Sequence, residues 1–271
     1  MQPMLNIALR AARAAGELIV RSMDRLDSLS VNEKDSKDYV TQVDRAAEKA
    51  IVNTLLKAYP DHGILGEEGS SIAGHGEGAD YQWVIDPLDG TTNYIHGIPH
   101  FAVSIACKYR GRVEHAVIYD PLRDEEFLAS RGRGATLNGR RLRVTKRNSL
   151  THAVLATGFP FRDGQMEHID NYLDMFRELA GQSAGIRRAG AASLDLAYVA
   201  AGRYDGFWEY GLSEWDMAAG ALLIQEAGGL ISDFAGGHQF LEKGHVVAGT
   251  PKCFKAILTS IQPHVPASFK H

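Results

Sequence analysis

Cysteine is nearly absent from this chain: Cys107 and Cys253 are the only two, far apart in sequence. Two cysteines in 271 residues point to a reducing compartment and a core without disulfides. No run of about eighteen apolar residues occurs, so a membrane-spanning helix is not expected. Arg10, Arg13 and Glu17 interrupt the apolar N-terminal pattern, which leaves no hydrophobic stretch for a secretory signal. A cytoplasmic protein is the expectation. Positive charge is not in excess either. Lys and Arg number 29 against 33 Asp and Glu, a net charge of -4 that argues against a general nucleic-acid binder. Among the 11 histidines only His96 and His100 stand four apart, flanking Gly97-Ile98-Pro99; they read as site-rim or structural residues, so a zinc site is not expected. No Cys or Ser nucleophile motif, internal repeat or low-complexity segment is visible.

What is present is an ordinary globular composition, 45% hydrophobic and 23% charged, with length enough for a large core or for two halves sharing one. Leu5, Ala8, Leu9, Ala12, Ala15, Ile19 and Met23 recur at helical spacing, so the pattern predicts a helix over 4–25. Residues 26–40 read as a polar loop. Thr41 caps a second helix, with Asp44 at its third position as the partner of a capping box, and Pro60 ends it. From residue 64 to about 142 the pattern turns to strands, with antiparallel neighbours at 101–109, 113–119 and 125–129 and a hairpin turn at Asn138-Gly139. The Gly-rich stretch 70–80 reads as a surface loop. Beyond 150, strands (153–157, 183–187, 205–208, 230–232, 245–248) alternate with helices (166–179, 193–201, 214–227, 251–261), which suggests layered α/β packing. The division falls near 145: an N-terminal α+β half over 1–145 and a C-terminal α/β half over 146–271.

Chemistry concentrates in residues 83–99. Trp83, Val84 and Ile85 form an apolar strand, followed by Asp86 and Asp89 around Pro87 and then by Gly90-Thr91-Thr92-Asn93. Hard divalent cations take several oxygen ligands, and a phosphate takes backbone N–H donors and metal charge; this segment offers both. A buried pair of like charges repels unless a cation neutralises it. An Asp-Pro turn with an Asx cap at Asp89 fits the same residues. Glu67-Glu68, before Gly69, reads alone as a solvated pair, and Asp216, three residues after Ser213, reads alone as a capping-box partner.

Taken together, Gly66-Glu67-Glu68, Trp83 through Asn93 and Trp215-Asp216-Met217-Ala218-Ala219-Gly220 resemble the inositol monophosphatase family of lithium-sensitive, magnesium-dependent phosphatases. The likeness extends over nearly the whole chain, including Gly190-Ala191-Ala192-Ser193. It implies an α/β (α+β) fold, a layered αβαβα sandwich of the inositol monophosphatase and fructose-1,6-bisphosphatase type, with the active site between the halves. It implies two to three Mg²⁺ ions. Glu67, Asp86 and the Leu88 carbonyl would hold the first, and Asp86, Asp89 and Asp216 the second. Glu67 and Asp44 would place a third or its waters. Thr91 with Asp44 would orient the attacking water, and the Gly90 and Thr91 N–H groups would bind phosphate. Gly190, Ala191, Ala192, Glu209 and Asp216 match the positions that contact the substrate's hydroxyls, beside Glu67, Leu88 and Asp89.

The implied substrate is inositol monophosphate or a related small sugar or polyol phosphate. Fructose bisphosphate, adenosine bisphosphate and NADP remain open within the family, and a homodimer is the usual assembly. The segments 186–190 and 193–206 are closest to a bacterial branch whose members also join RNA polymerase antitermination complexes on ribosomal RNA operons. Arg187 and Arg188, with the basic run 140–147, are candidate contacts for such a partner; without the resemblance, a solvated or dimer-facing patch is the favoured reading of them.

Overall fold

The computed structural model describes residues 2–24, 31–35, 38–160 and 163–270, with backbone alone at 31–35, 38–40, 163 and 164. Helix α1 (Pro3–Ser22) buries Leu5, Ala8, Leu9, Ala12, Ala15 and Ile19 on one face, as the spacing predicts. Burying each such Leu or Ile is worth roughly 1.5–3 kcal/mol. The polar segment after it is not wholly a loop. Strands β1 (Val31–Asp35) and β2 (Asp38–Thr41) pair antiparallel, with Val31 opposite Thr41. Polar residues between the β-favouring Val31 and the run Tyr39-Val40-Thr41 hide the ribbon from a periodicity reading. Residues 25–30, 36 and 37 of the expected loop lie outside the described residues. Helix α2 (Gln42–Ala58) starts from Thr41 with the capping box intact.

A sheet of eight strands follows: β3 (Gly63–Gly66), β4 (Ser71–Ile72), β5 (Tyr81–Asp89), β6 (Ala102–Tyr109), β7 (Arg112–Asp120), β8 (Glu125–Ser130), β9 (Gly134–Leu137) and β10 (Arg140–Arg141). The short helix α3 (Thr91–Ile95) stands between β5 and β6. Their order is β10-β9-β8-β7-β6-β5-β3-β4, antiparallel throughout except for β3 beside β5. The second part contains β11 (Val154–Thr157), α4 (Asp163–Met166), α5 (Ile169–Gln182), β12 (Gly185–Arg187), α6 (Ala192–Ala200) and β13 (Gly206–Tyr210). It continues through α7 (Glu214–Glu226), β14 (Leu230–Ser232), α8 (Phe240–Lys243), β15 (His245–Gly249) and α9 (Pro251–Ile261). Five of these strands form a mixed sheet in the order β12-β11-β13-β15-β14. The one helix expected over 166–179 is two, α4 and α5, separated at Glu167-His168.

The layers run α1/α2, the eight-stranded sheet, α6/α7, the five-stranded sheet, then α5/α9. Each interface has its own apolar cluster: one under α1 and α2, one around α6 and α7 between the sheets, and one beneath α5 and α9. This is the αβαβα sandwich that the resemblance implies. Because helices cover both faces of the larger sheet, β6 is buried at every position from Ala102 to Cys107 and shows no in–out alternation. Both cysteines are buried and unpaired.

Helix α7 is buried from Met217 to Ile224 because it lies between two sheets. Gly228 and Gly229 stop it in a left-handed turn, their N–H groups returning to Gln225 and Ile224. Gly220 is where α7 meets α6: a Cβ there would stand 2.5 Å from Leu196 Cβ and 2.7 Å from Leu196 Cδ1. Gly220→Val should therefore cost about 1–3 kcal/mol through overpacking, read as a lower urea midpoint; an unchanged midpoint would show that the helices can separate freely.

Candidate active site

Strand β5 does not stop at Ile85, as the sequence suggests, but runs on to Asp89 with a break in register between Asp86 and Asp89. Pro87 has no N–H to give the ladder, and the irregularity absorbs that loss. The Asp86 side chain closes the turn by accepting the Leu88 N–H at 3.0 Å. Gly90 follows at φ 97°, and a Cβ there would lie 3.0 Å from the His100 carbonyl, so glycine suits the corner on both counts. Asp86 and Asp89 are buried, and they meet Asp216 from the first turn of α7. Carboxylate oxygens of the three lie within 4.8 Å of one another.

Asp216 is held there from two sides. The Ser213 N–H donates to its Oδ2 at 2.7 Å, so the capping-box reading is correct and the residue also joins the cluster. Ser104, opposite Asp86 on β6, donates its hydroxyl to the Trp215 carbonyl at 3.2 Å, and Lys108 pairs with Glu214 at 2.6 Å. Asp89 reaches the other way, accepting the Ser193 N–H at 2.8 Å and the Ser193 hydroxyl. It thereby caps α6, whose own N-cap, Ala191, has no side-chain acceptor. Asn93 donates to the His100 and Ala189 carbonyls at 2.8 and 2.9 Å and ties α3 to the Gly190 turn.

Beside the cluster, Thr91 Oγ1 lies 2.8 Å from Asp44 Oδ1 and 3.0 Å from the Leu88 carbonyl. The other Asp44 oxygen accepts from the Thr41 N–H at 3.0 Å and from the Thr41 hydroxyl. Burial raises the Asp44 carboxyl above its usual range, against the pull of these hydrogen bonds. Asp86 is raised well above the ordinary value, first by burial and then by the charges of Glu67, Asp89 and Asp216. Asp89 is raised to about 6, again chiefly by burial, with the Ser193 hydrogen bonds opposing. Three converging carboxylates, with a fourth close by, are an expensive arrangement that a divalent cation would relieve. The donors are all hard oxygen, with the Leu88 carbonyl beside them and no His or Cys among the described lining residues, which fits Mg²⁺ better than zinc.

A cavity of about 320 Å³ opens on this cluster. Glu67, Asp86, Leu88, Asp89, Gly90 and Thr91 line it together with Gly190, Ala191, Ala192, Glu209 and Asp216, so the expected residues converge on one space. Asp44 reaches it only through Thr91. Arg188 lines the cavity, whereas Arg187 ends the edge strand β12 outside it. Several contributors escaped the sequence reading. Gly158 makes room for Glu209, since a Cβ would stand 1.7 Å from Glu209 Oε1. Asp195, buried on α6, also lines the cavity; burial and the charges of Glu209 and Asp89 raise its carboxyl. Small residues at 190–193 were the only signal near it.

The sequence profile of the inositol monophosphatase family matches residues 1–266. The chain belongs to the inositol monophosphatase family. A curated relative from Pseudomonas aeruginosa, "Nus factor SuhB", is 77% identical over 270 residues, with 100% of both chains covered. The crystal structure of "extragenic suppressor protein suhB" from Bartonella henselae superposes with a TM-score of 0.93 at 45% identity, covering 97% of this chain and 100% of that one. An inositol monophosphatase from Anabaena gives a TM-score of 0.84 at 36% identity, with 97% of each chain covered. The layered fold and the acidic cluster are thus those of an inositol monophosphatase family member. Among the described residues no helix is long and apolar enough to cross a membrane.

Proposed function

We propose that this protein is a Mg²⁺-dependent phosphatase that hydrolyses inositol monophosphate and related small sugar or polyol phosphates in the cytoplasm, as a homodimer. The observation that carries the reading is the meeting of Asp86, Asp89 and Asp216 in the cavity that also receives the Thr91–Asp44 pair. Glu67, Asp86 and the Leu88 carbonyl would hold one Mg²⁺, Asp86, Asp89 and Asp216 a second, with Glu67 and Asp44 placing a third. Such ions neutralise phosphate charge, acidify a water and hold the leaving oxygen.

The chain's own residues do the rest. Thr91 Oγ1 accepts a hydrogen bond from the water and passes its own proton toward Asp44 Oδ1, whose raised proton affinity suits it to receive one. The Gly90 and Thr91 N–H groups face the phosphate, while Glu209, Asp216 and the backbone of 190–192 face the hydroxyls. Water oxygen bonds to phosphorus, the ester P–O bond breaks, and the leaving alkoxide takes a proton from solvent water, while the proton received by Asp44 returns to solvent. The test is phosphate release from a panel of inositol, sugar, bisphosphate and nucleotide phosphates, with Mg²⁺ and with EDTA. Mg²⁺-dependent turnover of inositol 1-phosphate is expected; turnover of none of the panel would remove the reading.

A second role, in ribosomal RNA transcription antitermination with RNA polymerase, is favoured by the 77% identical relative named as a Nus factor. Arg187 and Arg188 are both exposed at the edge of the smaller sheet, where a partner can reach them. Charge reversal at both should abolish capture of the transcription complex, which Asp86→Ala leaves intact. Equal capture by wild type and the reversed variant would place the contact elsewhere.

A further inference from the structure

We propose that Glu48 is a positioning residue for the cation site, fixing the loop that presents Glu67 to Asp86. This rests on reading the acidic cluster as a Mg²⁺ site. Glu48 follows Asp44 by one turn of α2, so both carboxylates project from one face of the helix, and both are buried. Asp44 goes to Thr91; Glu48 goes to the loop. Its Oε2 accepts the Glu68 N–H at 2.8 Å and its Oε1 the Ser70 N–H at 3.0 Å. Glu67, the residue before the first of these, donates its own N–H to the Ile85 carbonyl at 3.1 Å, next to Asp86. The loop closes on itself through Gly66 N–H to the Ser70 carbonyl at 2.7 Å. The loop is thus fastened to β5 at Glu67 and to α2 on the far side of it.

Two features show that the site is shaped for a carboxylate. Two amide donors need two acceptor oxygens, which glutamate has and glutamine lacks. Gly66 lies so close that a Cβ there would stand 2.4 Å from Glu48 Oε2, so the backbone and the carboxylate pack with no side chain between them. Glu48→Gln keeps the volume but turns an NH₂ toward a backbone N–H. Gly66→Ala leaves Glu48 in place but pushes its carboxylate aside.

The experiment titrates Mg²⁺ into the full chain by calorimetry for wild type, Glu48→Gln and Gly66→Ala. Thermal melts in EDTA and hydrogen exchange over residues 66–70 accompany it. Groups that orient metal ligands typically change metal affinity by about 10–100-fold when removed. We expect that loss in both variants, with faster exchange over 66–70 and melts in EDTA lowered by a few degrees, so that both are still folded where Mg²⁺ is titrated. Unchanged Mg²⁺ affinity in either folded variant overturns the proposal and leaves Glu48 as a loop latch that serves stability alone; if Glu48→Gln does not fold, Gly66→Ala decides. Asp86→Asn separates the two layers of the reading. If it binds Mg²⁺ like wild type, the cation site itself fails; if it loses binding while the other two keep it, only the role of Glu48 fails.

Discussion

Asp86→Asn will lose Mg²⁺-dependent phosphate release from inositol 1-phosphate by at least about a thousandfold. Metal ions supply several kcal/mol of charge stabilisation in such a reaction, and each 1.36 kcal/mol is a factor of ten. Asp86 is the carboxylate that the proposed reading shares between two ions, so its loss weakens both. The fold should survive, because asparagine can still accept the Leu88 N–H that Asp86 Oδ1 accepts now. In EDTA the variant should melt at or above wild type. The Asp86 carboxyl is raised in the folded chain by burial and by Glu67, Asp89 and Asp216. A raised carboxyl is no burden below its unfolded value, but costs stability as pH rises through its folded value. The advantage of the variant in EDTA should therefore grow as pH climbs from 4, and with saturating Mg²⁺ it should reverse. Full residual turnover would remove Asp86 from the mechanism, and a lower melt in EDTA at neutral pH would show that the cluster is not repulsive.

Thr91→Val should lower kcat by about 10²–10⁴ while leaving Mg²⁺ affinity within about twofold of wild type, the range that proton transfer by a positioned side chain contributes. Valine keeps the shape of threonine but cannot relay a proton to Asp44 Oδ1, now 2.8 Å from the hydroxyl. Thr91→Ser, which restores the hydroxyl, should recover most of the rate. Asp44→Asn should resemble Thr91→Val in kcat, and a double variant should be little worse than either single one, as expected of residues that act as a unit. Additive losses would mean that the two act on separate steps. Equal losses in Mg²⁺ affinity and rate would mean that Thr91 serves the cations instead of the water.

The parts of this site that local pattern alone makes legible are those whose neighbours in space are also neighbours in the chain; Glu67, Glu209, Asp216 and the residues 190–192 join the site only through the family resemblance. Asp86, Leu88, Asp89, Gly90 and Thr91 lie on one strand end and the helix after it. The capping patterns at Thr41 and Ser213 could be read locally, and both were correct, yet Asp44 and Asp216 also serve the cavity. A local pattern explains a residue without excluding a second task. The groups that brace the site were not legible. Ser193 meets Asp89 across 104 residues, Ser104 meets the Trp215 carbonyl across 111, and Glu48 meets backbone amides, which carry no residue identity. The extent of β5 and the ribbon at 31–41 were missed for different reasons. A strand covered on both faces has no alternation to follow, and a polar ribbon has no apolar face to betray it.

The bond between Asp89 and the first turn of α6 has a consequence for how the protein is made. Asp89 leaves the ribosome 104 residues before Ser193, an interval of roughly 5–20 s at typical rates of synthesis. Until then the inner face of the larger sheet lacks the helices that will cover it, and Asp89 lacks the amide it will cap. The emerging chain therefore holds half of an acidic site with nothing to lock it. As they emerge, helices α6 and α7 complete the core between the sheets and the acidic cluster in the same event, so a truncated chain that ends before α7 should have neither.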